Sequence, residues 1–213
     1  MDYYVRGGVT MHPMLLCSIL GLIIIIERGI VLHRIKINTA QVFGAVRSKL
    51  IKRDLKGAIE VCDNYQGPIS DTLRAGLLRF GKPASDIEKA IESVALHQLS
   101  KLERGLWVLA TVANVAPLFG FLGTVTGMIK SFAVLSEVGM GNPKAVAAGI
   151  SEALITTAYG LFIALPVQAA YNYFTSRIGN FALDMETSSA MLLETFNELE
   201  DVDRPGGERA QTA

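Results

Sequence analysis

The sequence predicts an all-α membrane protein with three transmembrane helices and long cytoplasmic helical extensions. Three observations predict it. Half of the 213 residues are hydrophobic, the formal net charge is zero and the mean hydropathy is +0.36. Three runs carry no Lys, Arg, Asp or Glu: 18 residues from Val9 to Ile26, 25 from Gly105 to Ile129 and 24 from Ala153 to Ser176. A helix of roughly 20 apolar residues crosses a bilayer core of about 30 Å, so the last two are long enough and the first is near the lower limit. Finally, 14 of the 20 Lys and Arg residues fall between Arg28 and Arg104, which is the bias of a cytoplasmic segment.

Residues 1–9 are expected to lie outside the membrane, and residues 10–33 to form the first transmembrane helix. Pro13 sits in its first turn, where a missing N–H costs little. Glu27-Arg28 follows the apolar run in place of a small-x-small cleavage site, so the run does not read as a cleavable signal peptide. Residues 34–105 read as a cytoplasmic helical segment. Leu55 to Cys62 is amphipathic, Gly67-Pro68 breaks it, Ile69 to Arg79 resumes, and Gly81-Lys-Pro83 breaks again. Ser85-Asp-Ile-Glu88 spells a capping box. Nothing interrupts that last helix before Gly105, so it is expected to run into the second span.

The second span is expected over residues 106–135, an outside loop over 136–144 and the third span over 145–176. Residues 177–213 read as a cytoplasmic helix with a disordered tail. Pro117 and Pro166 lie within spans, where proline usually means a kink. The expected topology places the N-terminus outside and the C-terminus in the cytoplasm.

The composition excludes some functions. Zero net charge lacks the basic footprint of a nucleic-acid binder. Cys17 and Cys62 have no nearby Cys or His at metal-ligand spacing, and read as packing residues. His12, His33 and His97 are scattered. No nucleophile–base pattern is visible, so no enzyme, metal site or cofactor is expected.

The second span is too rich in small residues for a simple anchor. Gly120, Thr124, Gly127 and Ser131 recur at helical i+3/i+4 spacing, and Gly123 and Gly127 form a literal GxxxG. Such stripes let a second helix approach closely in lipid, and the hydroxyls supply hydrogen bonds there. The third span carries Thr156, Thr157 and Gly160. Thr124 and Thr157 sit on two spans joined by a short loop, so they could line a polar path between antiparallel neighbours. The bland alternative is that each hydroxyl bonds a carbonyl of its own helix. Glu152 lies at the start of the third apolar zone. An intramembrane carboxylate is a functional-site hypothesis by default, against the alternative of a solvated group paired with Lys130 or Lys144.

These residues also carry a resemblance. Ala116-Pro-Leu-Phe-Gly-Phe-Leu-Gly-Thr-Val-Thr-Gly-Met-Ile129 closely resembles the signature span of the MotA/TolQ/ExbB proton-channel family. So does Gly149-Ile-Ser-Glu152-Ala-Leu-Ile-Thr-Thr157-Ala-Tyr-Gly160-Leu, followed by Ile163-Ala-Leu-Pro166. The three-span layout is similar to ExbB and TolQ, whereas MotA has four spans. The resemblance implies a homo-oligomeric ring, a pentamer, in the bacterial inner membrane. The ring would enclose the single-span helices of an ExbD- or TolR-like partner, whose membrane aspartate carries the proton, and would energise a TonB- or TolA-like protein. By motif position Thr124 and Thr157 match the family's pore-facing threonines, and Glu152 its third-span glutamate. Gly120, Gly123, Gly127 and Gly160 are assigned to helix packing.

Two departures stand out. Thr126 occupies a position where the family often has Trp, and Lys130 places a cation just past the motif. An extra hydroxyl could favour Na+ over H+, since hard cations prefer oxygen ligands. A non-conducting scaffold, in which the Gly/Thr stripes only pack helices, is the alternative from another functional class.

Overall fold

The computed structural model describes residues 7–35, 39–65, 67–139 and 143–203. Most of the expected outside N-terminus, the centre of the 136–144 loop and the tail from residue 204 lie outside the described residues. Seven helices follow one another among the described residues, with no strand: α1 (Met11–Arg34), α2 (Thr39–Ile51), α3 (Leu55–Asn64), α4 (Pro68–Leu77), α5 (Ala84–Glu103), α6 (Leu106–Val138) and α7 (Pro143–Asp203). Three helical stretches, Met11–Arg34, Ala84–Glu137 and Val146–Leu199, are long and apolar enough to cross a membrane. The chain is a multi-pass, all-α membrane protein.

The helix expected to run on from Ser85 into the second span stops at Glu103. Gly105 adopts φ 85°, in the left-handed region, and caps the start of α6. A glycine in that conformation is the common way to end one helix, and here it also begins the next. The capping box at Ser85 does not form the start of α5. The helix begins one residue earlier, at Ala84, and the carbonyl of Pro83 accepts from the N–H groups of Asp86 and Ile87. α7 runs unbroken for 61 residues through Pro166, and α6 for 33 through Pro117.

The chain divides into two compact units, Met1–Val31 with Arg104–Thr175, and Leu32–Glu103 with Ser176–Ala213. In the first unit α1 lies against α6 and α7 through a glycine. A Cβ on Gly21 would sit 3.0 Å from Val167 and 3.5 Å from Val112. Met11, Met14 and Cys17 bury the same side of α1.

The second unit folds α2 to α5 around the C-terminal half of α7. Val42, Val46, Leu50, Ile69, Leu73, Leu77, Ile87 and Ile91 pack with Met185, Leu192 and Phe196 in one core. Phe80 and Phe196 meet edge-on, with ring centroids 4.9 Å apart. The amphipathic patterns of α3 and α4 direct Ala58 and Cys62, and Ile69, Leu73 and Leu77, into that core. Asp54 starts α3 by accepting from the N–H of Gly57 at 2.8 Å, and that bond, with Lys49 beside it, holds its carboxyl below the usual range. Cys62 is buried in this core, and burial pushes its thiol up to about 11.

Candidate functional site

The site is built on the seam between α6 and α7. Small residues let the two backbones touch. A Cβ on Gly120 would sit 3.1 Å from the Cα of Thr157 and 3.2 Å from the carbonyl oxygen of Thr156. One on Gly127 would lie 2.8 Å from the carbonyl of Gly149, and one on Gly160 2.8 Å from that of Ala116. Gly123 faces the Thr156 side chain, and Gly149 faces Ser131. Residue numbers fall along α7 as they rise along α6, so the helices are antiparallel. This is the close, small-residue packing that replaces the hydrophobic effect in lipid.

The hydroxyls bind backbone carbonyls on both sides of the seam. Thr157 Oγ1 donates to the carbonyl of Gly120 on α6 and to that of Ala153 on its own helix, each at 3.2 Å. Ser131 Oγ contacts the carbonyls of Gly127 and Val146, both at 3.1 Å. Thr156 is fully buried and bonds the carbonyls of Glu152 and Ala153. Thr126 donates to Gly123 at 3.1 Å, and Thr124 to Phe121 at 2.6 Å.

Thr124 is not on the packed face that its spacing with Gly120, Gly127 and Ser131 predicts. Ala116, Gly120, Gly123, Gly127 and Ser131 are buried, while Thr124 is half-buried beside a shallow groove that it lines with Val125, Met128, Ile129 and Phe132. Helix periodicity gives the reason. At about 100° per residue, Thr124 stands about 60° around the helix from Gly127, and Gly123 about 40° to the other side. The seam takes the glycine, because contact with Thr156 leaves no room for a Cβ there. Thr157 stands off the centre of the α7 face in the same sense. Since the helices are antiparallel, these offsets open to the same edge, so Thr124 and Thr157 flank one side of the seam.

Glu152 occupies the other side. It stands about 140° around α7 from Thr157, and Lys130 about 120° around α6 from Thr124. Lys130 Nζ and Glu152 Oε1 are 2.6 Å apart. The same carboxylate oxygen fills the space where Gly8 would carry a Cβ. This edge also carries Val112, which α1 covers through Gly21. Of the three residues grouped from sequence as one ion pathway, the structure brings Thr124 and Thr157 to one edge and sets Glu152 apart. Sequence reasoning named Thr156 without placing it on the seam and passed over Gly149 and Ala153 as packing residues, although their spacing with Gly160 is the helical repeat that marks a packed face. It also missed Gly8, for which no local pattern gives a signal.

Residues 64–187 match the model of the MotA/TolQ/ExbB proton channel family. A putative biopolymer transport protein ExbB homolog of Methanothermobacter thermautotrophicus is 34% identical over 179 residues, 84% of this chain and 63% of the relative. A putative biopolymer transport protein ExbB-like 3 of Synechocystis sp. is 31% identical over 191 residues, 88% of this chain and 90% of the relative. The Tol-Pal system protein TolQ of Pseudomonas aeruginosa is 39% identical over 120 residues, 51% of this chain and 52% of the relative. The chain thus spans less than two thirds of the length of some of these relatives.

Proposed function

Because the chain belongs to the MotA/TolQ/ExbB proton channel family, we propose that it is a ring-forming subunit of an ion-driven motor of ExbB/TolQ type. The ring is a homo-oligomer, a pentamer, in a bacterial inner membrane, with the N-terminus periplasmic and the C-terminus cytoplasmic. It uses proton-motive force with an ExbD/TolR-like single-span partner to energise a TonB- or TolA-like protein. Thr124 and Thr157 line the ion path, and the partner supplies the ion-carrying carboxylate. The observation that carries this reading is the shared edge. Two hydroxyls from different helices flank the side of the seam opposite Glu152 and Lys130, and on that side Thr124 opens on an apolar groove.

The experiment is purification in mild detergent followed by mass spectrometry, then ion flux in proteoliposomes. A small single-span protein with a membrane aspartate is expected to co-purify. Flux is expected to require it, to follow the proton gradient, and to be lost in Thr124→Val and Thr157→Val with assembly intact. Flux that requires sodium would assign the ion to Na+, in keeping with the extra hydroxyl of Thr126. A ring without such a partner, and with silent threonine variants, would overturn the motor reading.

The hydrogen bonds favour a second reading, a non-conducting membrane scaffold. Both threonines already donate to carbonyls, as packing hydroxyls do. On that reading Gly123→Leu and Gly127→Leu break assembly while the Thr→Val variants are silent.

A further inference from the structure

We propose that Lys130, Glu152 and Gly8 form a latch that ties the turn before α1 to the α6–α7 seam, with Glu152 held as a fixed counter-ion away from the ion path. The latch stands without the motor reading, and only the placing of Glu152 away from the ion path rests on it. Three segments converge on one carboxylate. α7 carries it, and α6 supplies the cation, with Lys130 Nζ 2.6 Å from Glu152 Oε1. The N-terminal turn supplies a backbone seat, because Gly8 leaves open the space that the oxygen fills. Gly8 has φ +68°, so glycine is favoured there on both counts. The turn is closed by Thr10 Oγ1 donating to Gly7, Met11 N to Gly8 and His12 N to Val9, each at 3.3 Å.

The two charges are unequally placed. The Glu152 side chain is 18% exposed and that of Lys130 55% exposed. Removing one partner of a pair leaves the other charge uncompensated, and the cost falls on whichever charge is more buried. Loss of Lys130 therefore strands Glu152, whereas loss of Glu152 leaves a lysine whose long stem can reach the interface. A latch thus predicts that neutralising Glu152 suppresses the defect of neutralising Lys130.

The test is hydrogen exchange of the amides that close the turn, those of Met11 and His12, in the full chain with its co-purifying partners in lipid nanodiscs. Lys130→Met is expected to speed exchange at least about tenfold, and Lys130→Met/Glu152→Gln to return it to within about threefold of wild type. Gly8→Ala, which alters no charge, is expected to speed it likewise and serves if Lys130→Met fails to assemble. Unchanged exchange in both Lys130→Met and Gly8→Ala overturns the latch. So does a double variant as fast as Lys130→Met. Ion flux lost in Glu152→Gln, with flux and exchange normal in Lys130→Met, would return Glu152 to the path. Silent Thr124→Val and Thr157→Val variants would sink the motor reading and leave the exchange result standing.

Discussion

The hydroxyl of Thr157 reaches across the seam to the carbonyl of Gly120, 37 residues earlier in the chain, at 3.2 Å. That approach is possible because Gly120 has no side chain: a Cβ would be 3.1 Å from the Thr157 backbone. The hydroxyl also shares its proton with the Ala153 carbonyl, so its oxygen lone pairs remain available as acceptors.

Thr157→Val keeps the shape and removes the donor. A single hydrogen bond contributes about 0.5–1.5 kcal/mol net, so the variant is expected to assemble with a small drop in Tm. Ion flux is expected to fall by far more, at least about thirtyfold, which is more than the loss of about 1.5 kcal/mol can explain. Thr157→Ser, which restores the donor, is expected to recover most of it. Flux in proteoliposomes beside detergent melting curves separates the two effects. Flux that tracks Tm alone would make Thr157 a packing residue.

The glycines should behave in the opposite way. A Cβ on Gly127 meets the Gly149 carbonyl at 2.8 Å and the Ala153 Cβ at 2.9 Å, and neither is the loose end of a flexible side chain. Gly127→Ala is expected to destabilise by about 1–3 kcal/mol, the usual cost of overpacking, and Gly127→Leu to prevent the seam from closing. Gly179, whose Cβ would meet nothing within 4 Å, is the control. Gly179→Ala is expected to hold or raise Tm, since alanine is the better helix former. Equal effects at 127 and 179 would show that the seam is not packed as described.

The spans were legible because charge-free runs and helix length are local properties. The first was expected at 10–33 and is found at Met11–Arg34; the second, expected at 106–135, continues as helix to Val138. The packed edge was only partly legible. Spacing shows that Gly120, Thr124, Gly127 and Ser131 share a broad face, but not where the neighbouring helix meets it. That phase is fixed by α7, through Thr156 against Gly123 and Ala153 against Gly127. The same holds for Glu152. It was a site candidate because a carboxylate in a membrane span is one by default; its i+5 spacing already sets it about 140° around the helix from Thr157, and the pairing with Lys130 and the contact with Gly8 show which way it faces. The break at Gly105 was available in principle, since a lone glycine after a charged last turn is a stop signal. The unbroken apolar run that follows outweighed it.

The second unit should weaken at both ends of the pH scale, for different reasons. Burial raises the Cys62 thiol from its ordinary 9.0 to about 11. A raised folded value means the unfolded chain loses its proton first, so this contribution is complete below pH 9.0 and declines as pH rises through about 11. Cys62→Ala is expected to flatten the alkaline limb, at the cost of a small cavity. Asp54 has the opposite sign. Its carboxyl is held low by the Gly57 N–H and then by Lys49. Its contribution is present above the unfolded carboxylate value and is lost as pH falls through the lowered one. Asp54→Ala is expected to flatten the acid limb. Melting temperatures of the three chains against pH check both, and an alkaline limb unchanged in Cys62→Ala would refute the first.

Gly105 separates backbone strain from crowding. Its φ is 85°, and an added Cβ would meet its nearest neighbours, Arg28 and Ile24, at 3.8 Å, an ordinary contact distance. Space is therefore available for a side chain, and only the left-handed backbone resists one. That conformation costs an L-residue about 1–2 kcal/mol, least for asparagine. Gly105→Ala is expected to destabilise by about that amount and Gly105→Asn by less, with Gly105→Val the worst because β-branching adds to the strain. Equilibrium unfolding in mixed micelles would rank the three. An alanine as stable as glycine would mean that α5 and α6 have fused through a right-handed residue 105, the continuous helix that the sequence alone suggests.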